Sequence, residues 1–192
     1  MHMVIKILTF ANSKEEALSQ AKEILAKNLC GEGRPFDYYT TFDDNSSTVS
    51  GKARWGNLPP VVKASSVKGK ELIEEGMKAT WKLFKRSMDC IRPALAIHSD
   101  EEIFNEKCSH LAHEKNDIGL CKTMYLPRHF MYCAGRYEGP DIWLYDHDGV
   151  AIRDVDRLKN VISHWSDYYE KKGQENPYKN MELFVVPADV HY

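Results

Sequence analysis

The feature that most constrains the fold is the order of predicted elements, because both ends of the chain show a strand, a helix and a second strand. At the amino-terminal end, two short runs rich in β-forming residues, residues 4–10 and 36–42, flank a helix. Ser13 and Glu16 form a capping box at the start of that helix, and Gly31 suits the left-handed position after its end.

The carboxy-terminal end repeats this order with different residues. The predicted strands are residues 141–145 and 181–186, and the second is expected to stop at Pro187. Between them, Asp154 is suited to cap a helix that continues to Gly173, with two lysines placed favourably against the helix dipole. Two such units pack naturally as one sheet with both helices on the same side.

The fold class that follows is α+β, with a ferredoxin-like (split βαβ) sheet, helices on one face and a largely helical middle insertion at about residues 50–125. The whole chain, residues 1–192, is expected to form a single domain. The alternative is one mixed α/β sheet in which the helical middle covers one face.

Inside the insertion, apolar residues at helical spacing over residues 72–91 predict a helix that ends near Pro93. Ser99 and Glu102 form a second capping box before a further apolar run. Residues 130–133 are suited to add another strand.

The composition indicates an ordinary globular protein. The formal net charge of −2 argues against a protein built wholly for nucleic acid or for acidic membranes. No window approaches the ~20 apolar residues that a membrane span needs, and residues 1–10 lack the pattern of a signal peptide. The cysteines are odd in number and widely spaced, so we expect reduced thiols and a cytoplasmic location; they are Cys30, Cys90, Cys108, Cys121 and Cys133.

Positive charge is concentrated in one segment, residues 51–95, which carries ten Lys and Arg against four Asp and Glu. Lys78, Lys82 and Lys85 recur at helical spacing, and Arg86 is adjacent. Such a row is a candidate binding surface for a polyanion, such as a nucleic acid or nucleotide, or for a protein partner. The alternative is a solvated helix face, since amphipathic helices carry lysines outward.

A second candidate is the cysteine and histidine cluster of Cys108, His110, His113 and Cys121. Two thiolates and two imidazoles are the ligands that tetrahedral zinc prefers. The spacing, however, differs from the paired Cys-x₂₋₄-Cys knuckles of common zinc fingers. The alternative is a polar helix end with exposed histidines and a buried thiol.

A third candidate is Asp146-His147-Asp148, which follows a predicted strand. Two carboxylates around a histidine are suited to hold Mg²⁺ or to serve as catalytic acid and base. Asp148-Gly149 after an apolar run is also a strong hairpin signal, with residues 150–152 as the returning arm. A turn is therefore the competing interpretation.

A fourth set comprises aromatic and acidic residues near the second and the last predicted strands. It includes Asp37-Tyr38-Tyr39, Asp43-Asp44 and, at the other end of the sequence, Asp189-Val190-His191-Tyr192. Tyrosines that alternate on a strand usually pack on a sheet face, so this set is expected to complete the core or to line a pocket or an interface.

The common catalytic motifs are missing from the sequence. It contains no phosphate-binding P-loop, no G-x-G-x-x-G, no H-E-x-x-H and no G-x-S-x-G. The function predicted first is therefore a binding or regulatory protein with a protein, nucleotide or nucleic-acid partner. By analogy of fold, the free face of its sheet is expected either to bind a ligand or to pair as a homodimer. The alternative is a small metal-dependent enzyme that acts on phosphate-containing substrates through Asp146, Asp148 and the histidines.

Overall fold

The computed structural model describes residues 1–97, 99–101 and 142–192, without the side chains of residues 86, 87, 90, 91, 93–95 and 97. The chain divides into two compact units. One unit comprises Met1–Ala79 and Ile142–Tyr192, and the other comprises Thr80–Asp141. The first unit contains all of the described strands.

Ten helices and strands are described. In chain order they are β1 (His2–Ala11), α1 (Lys14–Ile24), β2 (Tyr38–Thr41), α2 (Lys52–Trp55), β3 (Val62–Lys63), α3 (Val67–Ile97), β4 (Leu144–Tyr145), α4 (Val155–Ile162), α5 (Ser166–Lys172) and β5 (Glu182–His191). A wider, π-helical turn, Leu25–Leu29, continues α1.

The described strands form one mixed, five-stranded sheet, so the chain is an α+β protein. The strand order is β2-β5-β1-β4, and β3 also pairs with β5. Strand β4 is parallel to β1, whereas the other pairings are antiparallel. Strands β1 and β5 pair along their full length, from His2 opposite His191 to Ala11 opposite Glu182. The prediction that the first and last predicted strands share one sheet is therefore confirmed.

The ferredoxin-like arrangement is not confirmed. That arrangement pairs neighbouring strands antiparallel, whereas β4 runs parallel to β1. The helices also lie on both faces of the sheet. Tyr39 of β2 points to the face where its hydroxyl donates to the Lys22 carbonyl of α1, 3.4 Å away, whereas Leu8 of β1 packs on the opposite face with Leu72 of α3.

The core on the α3 face is a continuous apolar cluster. It joins β1, β3, β4 and β5 to α3 and α4. Close packing is visible at Gly76 of α3, where a Cβ atom would lie 2.6 Å from Leu144 Cγ. The buried members are Leu8, Phe10, Ala64, Leu72, Ile73, Leu144, Ile152, Val161, Leu183 and Val185.

The predicted helix starts are confirmed by their capping hydrogen bonds. The Ser13 hydroxyl accepts from the Glu16 backbone N–H at 3.1 Å, and the Glu16 carboxylate accepts from the backbone N–H of Asn12 at 2.8 Å. The Asp154 carboxylate accepts from the Arg157 backbone N–H at 2.7 Å. These side chains satisfy amide groups that have no partner inside the helix.

The helix predicted after Asp154 is broken in two. His164 and Trp165 both have φ near +55°, a left-handed conformation that ends α4 before α5 begins. Carbonyls freed by the break find new donors, because Ser166 Oγ–H donates to the Ser163 carbonyl and Asn176 Nδ2–H donates to the His164 carbonyl.

Two predicted ends at prolines are wrong. Strand β5 continues through Pro187, which lies in the gap between the residues that pair with β3 and those that pair with β2. A proline costs no ladder hydrogen bond where the neighbouring strand is interrupted. Helix α3 continues past Pro93 to Ile97, since proline's fixed φ is compatible with a helix and the loss is one backbone hydrogen bond.

Within residues 1–97, 99–101 and 142–192, none of the helices combines the length and the apolar composition that crossing a bilayer requires. Glu102 of the second capping box and the strand predicted at residues 130–133 lie outside the described residues. The single domain with an insertion at residues 50–125 stays a prediction.

Candidate functional site

The segment after β4 forms a tight hairpin. The Gly149 N–H donates to the Asp146 carbonyl at 2.9 Å, and the Asp146 N–H donates to the Val150 carbonyl at 2.9 Å. Gly149 has φ +74°, and its place against Asn28 leaves little room for a Cβ atom, which would lie 3.0 Å from Asn28 Cβ. The returning arm is fixed by a 2.9 Å bond from Ile152 N–H to the Leu144 carbonyl, so the predicted hairpin turn is confirmed.

Asp146 is fully buried, and its carboxylate is saturated with hydrogen bonds. Oδ1 accepts from the backbone N–H groups of Asp148 at 3.1 Å and Val150 at 3.0 Å. Oδ2 accepts from Nε of Arg157 at 2.9 Å and also from its Nη2. A carboxylate offers about four lone-pair directions. Asp146 uses them to fix the turn and to attach it to α4.

This arrangement bears on the predicted metal or acid–base site. Asp146, His147 and Asp148 each place one ligand atom within 4.8 Å of the others. However, Asp146 already carries the guanidinium of Arg157 as its counter-charge, and a cation at the same oxygen would face that positive charge. The groups left to interact with a ligand are Asp148 and the aromatic side chains around His147.

His147 lies among aromatic rings. Its Nε2 atom lies 2.9 Å from the hydroxyl oxygen of Tyr178, and its ring meets those of Phe10 and Tyr178 edge-on, at centroid distances of 5.0 Å and 4.7 Å. Phe10 in turn stacks on Tyr178 at 4.4 Å. The buried Nδ1 atom of His147 has no hydrogen-bond partner among the described residues.

The surroundings keep both polar groups of this pair uncharged. Burial lowers the pKa of His147, although Asp148 and Asp146 oppose the change. Burial and the neighbouring Tyr169 and Asp148 raise the pKa of Tyr178 to about 12. An unpaired buried N–H is costly, so the proton of neutral His147 belongs on Nε2, which donates to Tyr178. The Tyr178 hydroxyl then keeps its own proton to donate, and Tyr169 is a hydrogen-bonding neighbour that a ligand would compete with.

Two cavities meet at this pair, and His147, Asp148 and Tyr178 line both of them. The first, of about 400 Å³, extends towards α1 and also touches Phe10 and Asn28. The second, of about 260 Å³, extends towards α5 and has an aromatic wall formed by Trp165, Tyr168 and Tyr169. They open where the parallel strands β1 and β4 end, the edge at which α/β sheets commonly bind ligands.

Among the charged side chains that line these cavities, Asp148 is the least neutralised. Its carboxylate is 68% exposed and lies 3.6 Å from Nε2 of His147. The cations nearby are paired, since Lys27 binds Glu23 and Arg157 binds Asp146. The site therefore offers a carboxylate acceptor, a hydroxyl donor and aromatic surface.

The lowered pKa of His147 predicts a pH dependence of stability. As the pH falls below about 6.5, the unfolded chain binds a proton at this position before the folded chain does, and the free energy of unfolding therefore decreases. We expect His147→Gln to lose less stability than the wild type between about pH 7 and pH 5. Urea unfolding at each pH measures this, with pH 8 as the baseline, and parallel curves for the two proteins would contradict it.

The basic row is only partly available to a partner. Lys78 pairs with Glu74 at 2.6 Å, and Lys85 pairs with Asp89 at 2.8 Å, one helical turn away in each case. Lys82 is exposed, and the side chain of Arg86 lies outside the described residues. Intrahelical pairs of this kind are typical of a solvated helix face. Binding at these four residues stays a prediction.

The predicted zinc ligands, Cys108, His110, His113 and Cys121, lie outside the described residues. Cys30 is half-buried with a free thiol, and burial together with Asp37 raises its pKa to about 12. A thiol with so high a pKa is a poor nucleophile, which agrees with the predicted inert cysteine.

A larger cavity of about 550 Å³ lies between α3 and α4. Its lining is mostly aliphatic, including Ile73, Met77 and Leu158. The acids at its rim are paired, because Glu182 binds Lys63 at 2.8 Å and Glu74 binds Lys78. This cavity offers apolar contact with few polar groups to define a ligand.

Sequence reasoning identified the turn residues but not their neighbours. Phe10, Arg157, Trp165 and Tyr178 reach the site from β1, α4, the break before α5 and the segment before β5. None of them forms a local motif with residues 146–148. The continuous apolar run of β1 was the one available signal, because it places Phe10 at the end of a strand.

Comparison with known proteins gives a family but no activity. A family model described as Domain of unknown function (DUF7995) matches residues 1–192. No curated protein and no solved structure matches the chain.

Proposed function

The chain belongs to the DUF7995 family, whose description assigns no activity, and from the geometry of the His147 site we propose that it is a small-molecule binding protein. The ligand class is a planar, uncharged heteroaromatic molecule of nucleoside size. The observation that carries this proposal is the pair of cavities that share Tyr178 and Asp148, with aromatic walls and one carboxylate that remains largely unneutralised.

The aromatic surface supports a planar ligand. Tyr178 is held by its stack on Phe10, and Trp165 and Tyr168, which also line the second cavity, meet edge-on at 6.0 Å. Stacking of a base on an aromatic side chain contributes about 1–3 kcal/mol and tolerates many ring types. Rings already held by their neighbours lose little freedom when a ligand binds.

The polar groups support a ring with hydrogen-bonding edges. The Asp148 carboxylate accepts from N–H groups, and the Tyr178 hydroxyl donates to a ring nitrogen or a carbonyl oxygen. Nucleobases present both types of group on one edge. Few well-placed polar groups on an otherwise aromatic lining are typical of small-molecule sites.

The charges of the site favour a nucleoside over a nucleotide. A phosphate requires cations or free backbone N–H groups, whereas Lys27 and Arg157 are already paired and Asp148 would repel it. The same argument gives less support to the alternative prediction, a metal-dependent enzyme that acts on phosphates. The basic row of α3 contributes no residue to the lining of these two cavities.

Calorimetric titration of the full chain with adenosine, guanosine, cytidine and uridine tests the proposal. We expect at least one of the four to bind, and its 5′-monophosphate to bind more weakly. Asp148→Asn should weaken binding roughly fivefold, because a hydrogen bond to a charged group contributes about 1 kcal/mol more than one to a neutral group. Asparagine also suits the turn before Gly149, so the hairpin is expected to persist.

Asp156→Asn is the matched control, since it removes a carboxylate that is 92% exposed on α4 and does not line either cavity. It should leave the affinity unchanged. Absence of binding by all four nucleosides at millimolar concentration, or equal affinity of the wild type and Asp148→Asn, would contradict the proposal. The cytoplasmic location and the homodimer stay predictions from the sequence.

A further inference from the structure

We propose a second site, a binding site for a divalent transition-metal ion formed by His2 and His191. It lies at the end of the sheet opposite the His147 site, where β1 begins. His2 of β1 is directly opposite His191 of β5, and His191 is directly opposite Tyr38 of β2. The three side chains therefore form a row across three strands on one face of the sheet.

A buried carboxylate orients the first histidine. Asp189 is almost fully buried, and its Oδ1 lies 3.0 Å from His2 Nδ1 while its Oδ2 accepts from the Gly51 N–H at 2.8 Å. Because an ionised carboxylate can only accept, Nδ1 of neutral His2 carries the proton. The Nε2 lone pair is directed away from Asp189, towards the Tyr38 hydroxyl 3.3 Å away.

The second histidine has the same arrangement. Nδ1 of His191 lies 2.9 Å from Oδ2 of Asp37, so its Nε2 also carries the lone pair. That Nε2 atom accepts from the charged amino group of Met1, 3.3 Å away, a donor that a bound metal ion would displace. The His191 ring stacks on Tyr38, with centroids 4.9 Å apart and planes 8° from parallel. Both imidazoles are thus held in a fixed orientation.

The spacing of the two rings suits one ion. Their centroids lie 5.0 Å apart. For a tetrahedral ion with metal–nitrogen distances of about 2.1 Å, two imidazole centroids come to lie roughly 5 Å apart. Metal-binding histidines characteristically donate the other ring N–H to a carboxylate, as both do here. Imidazole ligands select Zn²⁺, Cu²⁺ or Ni²⁺ over Mg²⁺ and Ca²⁺, and the Tyr38 hydroxyl or water can complete the coordination.

Competition with a chromogenic chelator, on full-length protein without an affinity tag, measures the binding of Zn²⁺ and Ni²⁺. We expect the double change His2→Ala and His191→Ala to remove one equivalent of metal per chain relative to the wild type. Counting this difference keeps the result independent of any metal held elsewhere, including at Cys108 and Cys121. Mg²⁺ should not compete.

His164→Asn is the control, because both ring nitrogens of His164 face backbone carbonyls, at 3.2 Å and 3.1 Å, and asparagine tolerates its left-handed backbone. It should leave the metal count unchanged. Asp37→Asn alters a side chain that is 67% exposed and should weaken binding about 10- to 100-fold without removing a ligand. Equal stoichiometry and affinity in the folded double variant and the wild type would overturn the proposal.

Discussion

Asp146→Ala is expected to lower the free energy of unfolding by about 3 kcal/mol, the lower end of the cost of breaking a buried ion pair. The substitution leaves the buried N–H groups of Asp148 and Val150 without an acceptor, and each such group costs about 1–3 kcal/mol. Arg157 is 30% exposed and can turn towards solvent, so its share of the loss is smaller. Urea unfolding followed by circular dichroism measures the change.

A double-mutant cycle identifies the source of this loss. Arg157→Met alone leaves a buried carboxylate with two N–H donors. We therefore expect the double variant Asp146→Asn, Arg157→Met to lose less free energy of unfolding than the sum of the losses in the two single variants. Asp156→Ala is the matched control on α4, the helix that carries Arg157, and should change stability by no more than about 0.5 kcal/mol. A loss below about 1 kcal/mol for Asp146→Ala would contradict the structural role of this side chain.

Gly69→Ala is expected to destabilise the protein by about 2–3 kcal/mol, although glycine to alanine in a helix normally stabilises by about 1 kcal/mol. The reason is the close approach of the first turn of α3 to the chain before it. A Cβ atom at Gly69 would lie 2.1 Å from the Lys63 carbonyl oxygen and 2.9 Å from Ala64 Cα. Both are backbone atoms, so the helix and β3 would have to separate.

Thermal or urea unfolding measures this effect, with Lys70→Ala as the control in the same turn. Lys70 is exposed, and alanine there is expected to change stability by no more than about 0.5 kcal/mol. An increase in stability for Gly69→Ala would show that α3 does not approach Lys63 as closely as described.

The parts of the fold that could be predicted from the sequence are those fixed by neighbouring residues. Ser13 and Asp154 cap their helices because the amide groups they bind lie three residues further on. The turn before Gly149 is equally local, since a glycine there accepts the left-handed conformation. Hydrophobic runs predicted most of β1 and half of β5 for the same reason.

The wrong predictions of the fold fall where the conformation depends on residues distant in the sequence. A proline such as Pro187 would end a strand that pairs with a neighbouring strand on each side. Here it lies in the gap between the residues of β5 that pair with β3 and those that pair with β2, and both pairings join segments more than a hundred residues apart in the sequence. The break at His164 similarly depends on Asn176 and on the Met181 carbonyl. Direction within the sheet also follows from tertiary pairing, and no local pattern indicates that β4 is parallel to β1.

The candidate site was predicted in part. Asp148 and His147 belong to a short motif, whereas Tyr178 and Phe10 meet them only through the folded sheet. The row formed by His2, Tyr38 and His191 is the extreme case, because register across three strands brings together residues from both ends of the sequence. Sequence spacing carries no information about such register.

The position of β5 in the sheet has a consequence for the order of folding. This strand pairs with β1, β2 and β3, yet it is the last of the four to leave the ribosome. During synthesis β1 and β2 lack the strand that lies between them, and their edges stay exposed until β5 has been made. Contacts so distant in sequence close large loops and slow folding. Association with a chaperone during translation would protect those edges from pairing with other chains.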